Sequence, residues 1–183
     1  MNDEQALIKR ALAFGDSEAF SALVKMHQGK IRAFLVRLSR NYDVADDLAQ
    51  ETFISAYRKL AGYTGKGSFQ AWLFKIAYNN FVHYRRSAKR RSEVGEQYAV
   101  HIEVLHERYE TLSSEQYDLE KAMRQLNEQE SASISLCHSF GHSHREAADI
   151  LQLPLGTVKS SILRGKARLR EILVLQAAME QAS

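Results

Sequence analysis

"REAADILQLPLGTVKSSILRGKARLR", Arg145 to Arg170, carries a helical apolar pattern that stops at "LPLG" and restarts studded with positive charge. Ahead of the break, Ser143 and Glu146 stand in capping-box spacing, and Ala147, Ile150 and Leu151 form the buried stripe of a first helix. Pro154 disfavours helical geometry in Leu153, so that helix ends there and a tight turn launches a second one. On the second helix Val158, Ile162, Leu169 and Leu173 recur at spacings of four, seven and four, which puts them on one narrow, inward arc. Thr157, Ser160, Arg164 and Arg168 then project from the opposite side. A short turn between two helices, of which only the second is basic on its outer face, predicts a helix-turn-helix. Its second helix enters the DNA major groove, where a guanidinium bonds guanine O6 and N7 together. Lys159 and Lys166, off the centre of that face, are placed to neutralise phosphate.

The whole chain supports a helical protein of modest size. Its 183 residues, 45% of them hydrophobic, suffice for one ordinary domain or two small ones. A single proline, Pro154, and the scarcity of strand-like alternation predict an all-α fold. No apolar run approaches the roughly 20 residues that span a bilayer, and the acidic start "MNDEQ" has none of the features of a signal peptide. The chain is therefore expected to stay in the cytoplasm with no membrane insertion. One cysteine, Cys137, permits neither an internal disulfide nor a multi-cysteine zinc site.

The net charge of +3 conceals a strong asymmetry. Residues 1–91 hold sixteen Lys and Arg against eight Asp and Glu, a balance of +8. Residues 92–120 hold only Arg108 against eight acids, a balance of −7, and the remainder comes to eight minus six, +2. An acidic stretch between two basic lobes predicts two small helical domains, 1–91 and 118–183, joined by an acidic linker over 92–117. An acidic, solvated helix is the other reading of that stretch.

The first lobe carries a second constellation. "DVADDLAQETFISAYRKL", Asp43 to Leu60, begins with an acidic turn suited to a helix N-terminus and places Phe53, Ala56, Tyr57 and Leu60 at core spacing. Asp47, Gln50 and Glu51 share one flank. In the following "AGYTGKGSFQAWLFKIAYNNFVHYRRSAKRR", Phe69, Trp72, Leu73 and Ile76 form one stripe and Phe74, Tyr78, Phe81 and Arg85 another. A helix apolar on both sides is sandwiched or meets a partner. It ends in Arg85, Arg86, Lys89, Arg90 and Arg91, a footprint for nucleic-acid phosphates beside rings able to stack unpaired bases.

Other chemistries find little support. His138, His142 and His144 beside Cys137 suggest metal sensing but lack the spacing of a closed site, and no metal or other cofactor is expected. "GYTGKGS" has Ser68 where a phosphate-binding loop requires Lys, which leaves a turn. Nucleophile-elbow, metalloprotease and dinucleotide signatures are absent, so no catalytic residue is assigned and an enzyme is not expected.

Taken together, "DDLAQETF" followed by "SFQAWLFKIAYNN" resembles region 2 of the extracytoplasmic-function sigma factors of the sigma-70 family, over roughly residues 16–91. "HREAADILQLPLGTVKSSILRGKARL" resembles their region 4, over roughly 118–175. The resemblance implies a subunit that directs core RNA polymerase to promoters. Asp47, Gln50 and Glu51 match positions that meet the clamp helices of the β′ subunit, and the β subunit is implied as a further contact. Lys59, Tyr63, Ile76 and Asn79 match a pocket that captures a base of the minus-10 element, with Arg85, Arg86, Lys89, Arg90 and Arg91 on nearby phosphates. Lys159, Ser160 and Arg164, with Thr157, Lys166 and Arg168 around them, match the helix that reads the minus-35 element. An anti-sigma protein is implied as a partner.

Some positions depart from the family pattern. Ser161 stands where many members carry Arg, and Cys137 where some reach DNA with Arg, which implies fewer minus-35 contacts. Asn127 replaces a frequent Pro. Gly165 lies inside the recognition helix at a cost of about 1 kcal/mol relative to Ala, which predicts close packing or local flexibility. The remaining alternative is an autonomous helix-turn-helix repressor. That protein would need a symmetric dimer and a palindromic operator, whereas a sigma factor needs polymerase and two unlike promoter elements.

Overall fold

Asp16 starts the second helix of the chain, one residue after Gly15 takes a left-handed conformation (φ 61°). Its carboxylate accepts the N–H groups of Glu18 and Ala19 at 3.0 Å each and an Arg10 Nη2 hydrogen at 2.6 Å. Those backbone bonds, with the guanidinium, hold its carboxyl below the usual range. The computed structural model describes residues 3–93 and 114–181. Helix α1 runs over Asp3–Phe14, α2 over Ser17–Ser39, α3 over Tyr42–Lys59 and α4 over Phe69–Glu93. After these come α5 (Ser114–Met123), α6 (Glu128–Ile134), α7 (His144–Leu151) and α8 (Leu155–Gln181). The described residues contain helices and no strand, in the all-α architecture that the sequence predicts. Most of the expected linker, 94–113, lies outside the described residues.

In the first lobe α2 is the central post. Ala19, Phe20, Leu23, His27, Ile31, Phe34, Leu35 and Leu38 are buried along it, at the threes and fours of a helix enclosed on several sides. The helix ends at Arg40 in a left-handed conformation (φ 56°), and Asn41 caps α3 by accepting the Val44 N–H at 3.0 Å. Helix α3 buries Ala45, Leu48, Thr52 and Ala56, followed by Leu60 in a short 3-10 turn. The Thr52 hydroxyl donates to the Leu48 carbonyl at 2.7 Å, so its burial leaves no unmet donor. Tyr57, expected in the core, is 49% exposed. The inward line of α3 runs through Thr52 and Ala56 instead, and the Tyr57 ring lies edge-on to Phe20 at 5.0 Å.

The second lobe is built on two capping boxes. Asn127 and Glu130 close the start of α6, and Ser143 and Glu146 close the start of α7 as the sequence predicts. Between them Ser135–Ser139 forms a π turn. Helix α7 ends at Gln152 in a left-handed conformation (φ 54°), and the Pro154 carbonyl accepts the N–H groups of Thr157 and Val158 to start α8. Val158, Ser161, Ile162, Gly165 and Leu169 face inward on α8.

The two lobes join through one continuous core. Phe140 of the second lobe meets Phe34 and Phe74 of the first, with centroids 5.9 and 4.9 Å away, and Phe34 and Phe74 are 5.1 Å apart. Three rings in mutual contact add about 0.5–1.5 kcal/mol per pair beyond their area. Polar contacts ring this centre. Arg37 binds Glu120 at 2.7 Å and Ser139 Oγ at 2.5 Å, Arg40 donates to the Leu126 carbonyl at 2.9 Å, and Gln70 donates to the Phe140 carbonyl at 3.1 Å. The helix that the sequence made apolar on both sides is thus sandwiched within its own chain, between α2 and α3 on one side and α7 on the other.

Candidate nucleic-acid and polymerase interfaces

On α8 burial separates the helix into two faces. Val158 and Ile162 lie inward while Lys159, Leu163, Arg164, Lys166 and Arg168 are exposed. Thr157 and Ser160 are half-buried, with the Ser160 hydroxyl donating to the Thr157 carbonyl at 3.0 Å. Arg164 and Arg168 leave 59% and 53% of their side chains in solvent. Leu163, 73% exposed amid these polar residues, escaped the sequence reading. An apolar side chain on a DNA-reading face meets a thymine methyl, and its spacing from Ser160 and Arg164 was the available signal.

Gly165 is buried because α6 passes directly beneath it. A Cβ at this position would lie 2.6 Å from Ile134 Cδ1 and 3.2 Å from Glu130 Cβ. Close packing, one of the two expectations for this glycine, accounts for it.

The aromatic pocket forms where the chain turns from α3 into α4. The Tyr63 ring lies 5.3 Å from both Phe69 and Trp72, and its hydroxyl donates to the Gly67 carbonyl at 3.1 Å. Gly65 and Gly67 take positive φ (72° and 82°), which makes "GYTGKGS" the turn expected of it. Burial, with the nearby Glu4 carboxylate, raises the Tyr63 phenol above its ordinary value. Phe69 rests on His27, whose Nε2 meets Glu4 Oε1 at 2.8 Å, so α1 is tied to the back of the cluster. Ile76 and Asn79 continue the Phe69–Trp72 face one and two turns along α4. Asn79 therefore stands about 10 Å along the axis from Trp72. Ile76 is 7% exposed, and the Asn79 Oδ1 accepts from Gln152 Nε2 at 2.7 Å. Lys59 is exposed at the C-terminal end of α3, where the helix dipole favours a cation.

At the end of α4, Arg86, Lys89 and Arg90 are exposed. Arg85 pairs with Glu128 from α6 and lies over the Phe81 ring, 5.9 Å from its centroid. The Arg91 side chain falls outside the described residues. On α3, Asp47, Gln50 and Glu51 form one exposed flank together with Ile54, which is 46% exposed. The neighbouring Asp46 turns away from that flank to bind Arg32.

Among the described residues no group of three or more His, Cys, Asp or Glu is placed to hold a metal ion. Burial, with the Glu146 carboxylate, raises the Cys137 thiol above its ordinary value, which disfavours the thiolate form. His142 packs edge-on to Phe74 at 4.9 Å in the lobe interface, and burial lowers its imidazole below the usual value. His138 is lowered by burial and by neighbouring Lys166.

A small two-lobed helical chain, with an exposed basic helix in one lobe and in the other an aromatic cluster at the start of a helix whose far end is basic, has the design of a promoter-reading subunit. Residues 23–91 match the model of Sigma-70 region 2 and residues 116–169 that of Sigma-70, region 4. The ECF RNA polymerase sigma-E factor of Haemophilus influenzae is 34% identical over 177 residues, covering 89% of this chain and 91% of that one. The RNA polymerase sigma-H factor of Pseudomonas aeruginosa is 32% identical over 181 residues, 93% of each chain. Among solved structures, the sigma factor RpoE of Bartonella quintana, in complex with the anti-sigma factor NepR, superposes with a TM-score of 0.73 at 29% identity, covering 84% of this chain and 96% of that one. The chain belongs to the extracytoplasmic-function sigma factors of the sigma-70 family, and its role is that of an alternative sigma factor in promoter-directed transcription initiation. Its relatives are sigma factors, not enzymes, and among the described residues no helix is long and apolar enough to cross a membrane.

Proposed function

We propose that the chain divides its work between a polymerase-binding, strand-opening domain over 1–91 and a minus-35-reading domain over 118–183, with the acidic segment 92–117 threading basic channels of the polymerase. Asp47, Gln50 and Glu51 dock on the β′ clamp helices through their exposed acidic flank, and the β subunit provides a further contact. Tyr63 stacks on an extruded minus-10 base and Asn79 hydrogen-bonds it, with Lys59 and Ile76 completing the pocket. Flipping a base costs a few kcal/mol, which ring stacking worth about 1–3 kcal/mol helps to offset. Arg85, Arg86, Lys89, Arg90 and Arg91 hold the adjacent phosphates. Lys159, Ser160 and Arg164, flanked by Thr157, Lys166 and Arg168, meet the minus-35 duplex.

The observation that carries this reading is the presence in one chain of two unlike nucleic-acid faces, a basic recognition helix and an aromatic cluster suited to unpaired bases. A repressor has use only for the first. Because Asn79 is bonded to Gln152 and Arg85 to Glu128, engagement of these two residues with DNA requires those inter-lobe bonds to break. The likeness to RpoE of Bartonella quintana, solved with NepR, supports an anti-sigma partner for this chain too, and the reading places it in the cytoplasm with polymerase and DNA. The test is transcription by purified protein and core polymerase on a fragmented genomic library. Start sites sharing two spaced elements are the expected result, and initiation no different from that of core polymerase alone would overturn the reading.

A further inference from the structure

Glu130 is a carboxylate where the sequence offers no reason to expect burial. Only 5% of its side chain is exposed, and it sits on α6 directly below the recognition helix. It arrives there because residue 165 has no Cβ, since α8 could not otherwise close on Glu130 and Ile134. One carboxylate oxygen accepts the Asn127 N–H at 3.2 Å and an Arg168 Nη1 hydrogen at 3.4 Å, while the other stands 3.8 Å from Arg164 Nε. A carboxylate so nearly buried requires partners. Here two of them are outward arginines four residues apart on the DNA face, which repel one another when nothing stands between them.

We infer that Glu130 is a positioning residue of the minus-35 reading head: its carboxylate holds the inner edges of the two guanidinium groups, at Arg168 Nη1 and beside Arg164 Nε, so that their remaining N–H groups are presented to base edges rather than swung onto the nearest phosphates. The inference rests on the reading of α8 as the minus-35 helix. It makes Glu130 a determinant of sequence preference without touching DNA. Neutralising it trades specificity for indiscriminate affinity, because a released guanidinium gains a phosphate contact as it loses its base-reading geometry.

The variant that isolates this role is Glu130→Gln, whose side-chain carbonyl still accepts the Asn127 N–H and so keeps the capping box. Full-length protein with core polymerase is assayed on a library randomised in the minus-35 element above a fixed minus-10 element. Binding to random duplex is measured across a salt series. Wherever Arg164→Ala or Arg168→Ala flattens the base preference, Glu130→Gln is expected to flatten it by roughly two- to fivefold. Random-duplex binding should become tighter, with a salt slope steeper by about 1. In an Arg164→Ala, Arg168→Ala background the same change should have no further effect on base preference. An unchanged base preference for Glu130→Gln, where Arg164→Ala alters it, overturns the inference and leaves the reading of α8 intact. Weakened binding to specific and random duplex alike also overturns it, reducing Glu130 to a helix cap. A wild-type holoenzyme indifferent to the minus-35 sequence defeats both the inference and the reading beneath it.

Discussion

Arg164 and Arg168 on α8 take their carboxylate partner, Glu130, from their own lobe, whereas Asn79 and the equally exposed Arg85 on α4 are bonded to Gln152 and Glu128 from the opposite lobe. On the proposed reading, one nucleic-acid face is clear of the opposite lobe and the other is bridged to it. The difference follows from what each must bind. A minus-35 duplex exists before the protein arrives and asks only for a rigid, exposed helix. A flipped minus-10 base exists only after strands separate, and on the proposed reading the Asn79 end of the surface that receives it stays bonded to the second lobe until polymerase and DNA are in place. That second lobe is seated on Phe34 and Phe74 through Phe140.

The sharpest way to break this contrast is to loosen that seat. Phe140→Ala removes the ring that joins the lobes and should cost about 3 kcal/mol of stability in urea unfolding. It should also widen the distribution of distances between probes placed on α4 and α7. An unchanged denaturation midpoint would show that the three-ring contact is not what holds the lobes. The presented face should respond next. Arg164→Ala should cost about 1–3 kcal/mol at one minus-35 base pair, while Lys166→Ala weakens binding evenly across sequences. Identical preferences before and after Arg164→Ala would remove α8 from base reading.

A charge reversal at Glu51 comes third. Glu51 is exposed and accepts a hydrogen bond from Ser55 Oγ, one turn on, at 3.2 Å, so Glu51→Arg should leave thermal stability nearly intact. It should weaken core polymerase binding by about tenfold. Equal affinity in a direct titration would detach this flank from polymerase. The smallest effect is that of pH on the lobe contact. Burial lowers the His142 imidazole in the closed arrangement, Glu146 pulls it up and Lys30 pushes it further down. The parted or unfolded chain, titrating near the ordinary value of about 6.5, therefore binds the proton first. Lobe docking should be fully present above that pH and weaken as pH falls below it. Docking that strengthens on acidification would reverse the assigned sign.

Much of this was legible because it is local. The Ser143–Glu146 box, the break at Pro154 and the arc of Val158, Ile162 and Leu169 each depend on residues within a few turns, and the structure carries all of them. The double-sided apolarity of α4 was legible as well, but its second partner was not, since nothing near Phe74 in sequence names Phe140. Glu130 in "LNEQE" reads as solvated surface, and its burial depends on a glycine thirty-five residues away. Tyr57 misled because period alone cannot rank it against Thr52, which is small enough to let neighbouring helices close and can bond its own backbone. The conformations of Arg40 and Gln152, left-handed without glycine, carried no signal in sequence.

Strand opening is where the proposed minus-10 face acts, and permanganate footprinting of the minus-10 element measures it most directly. Wild-type protein with core polymerase should make unpaired thymines reactive on a duplex promoter. Tyr63→Ala should form that bubble more slowly, by the loss of about 1–3 kcal/mol of stacking, without losing polymerase binding or minus-35 recognition. A pre-melted template should restore part of its transcription. Opening by Tyr63→Ala at the wild-type rate would contradict the pocket, and a wild-type holoenzyme that never opens the duplex would contradict the account as a whole.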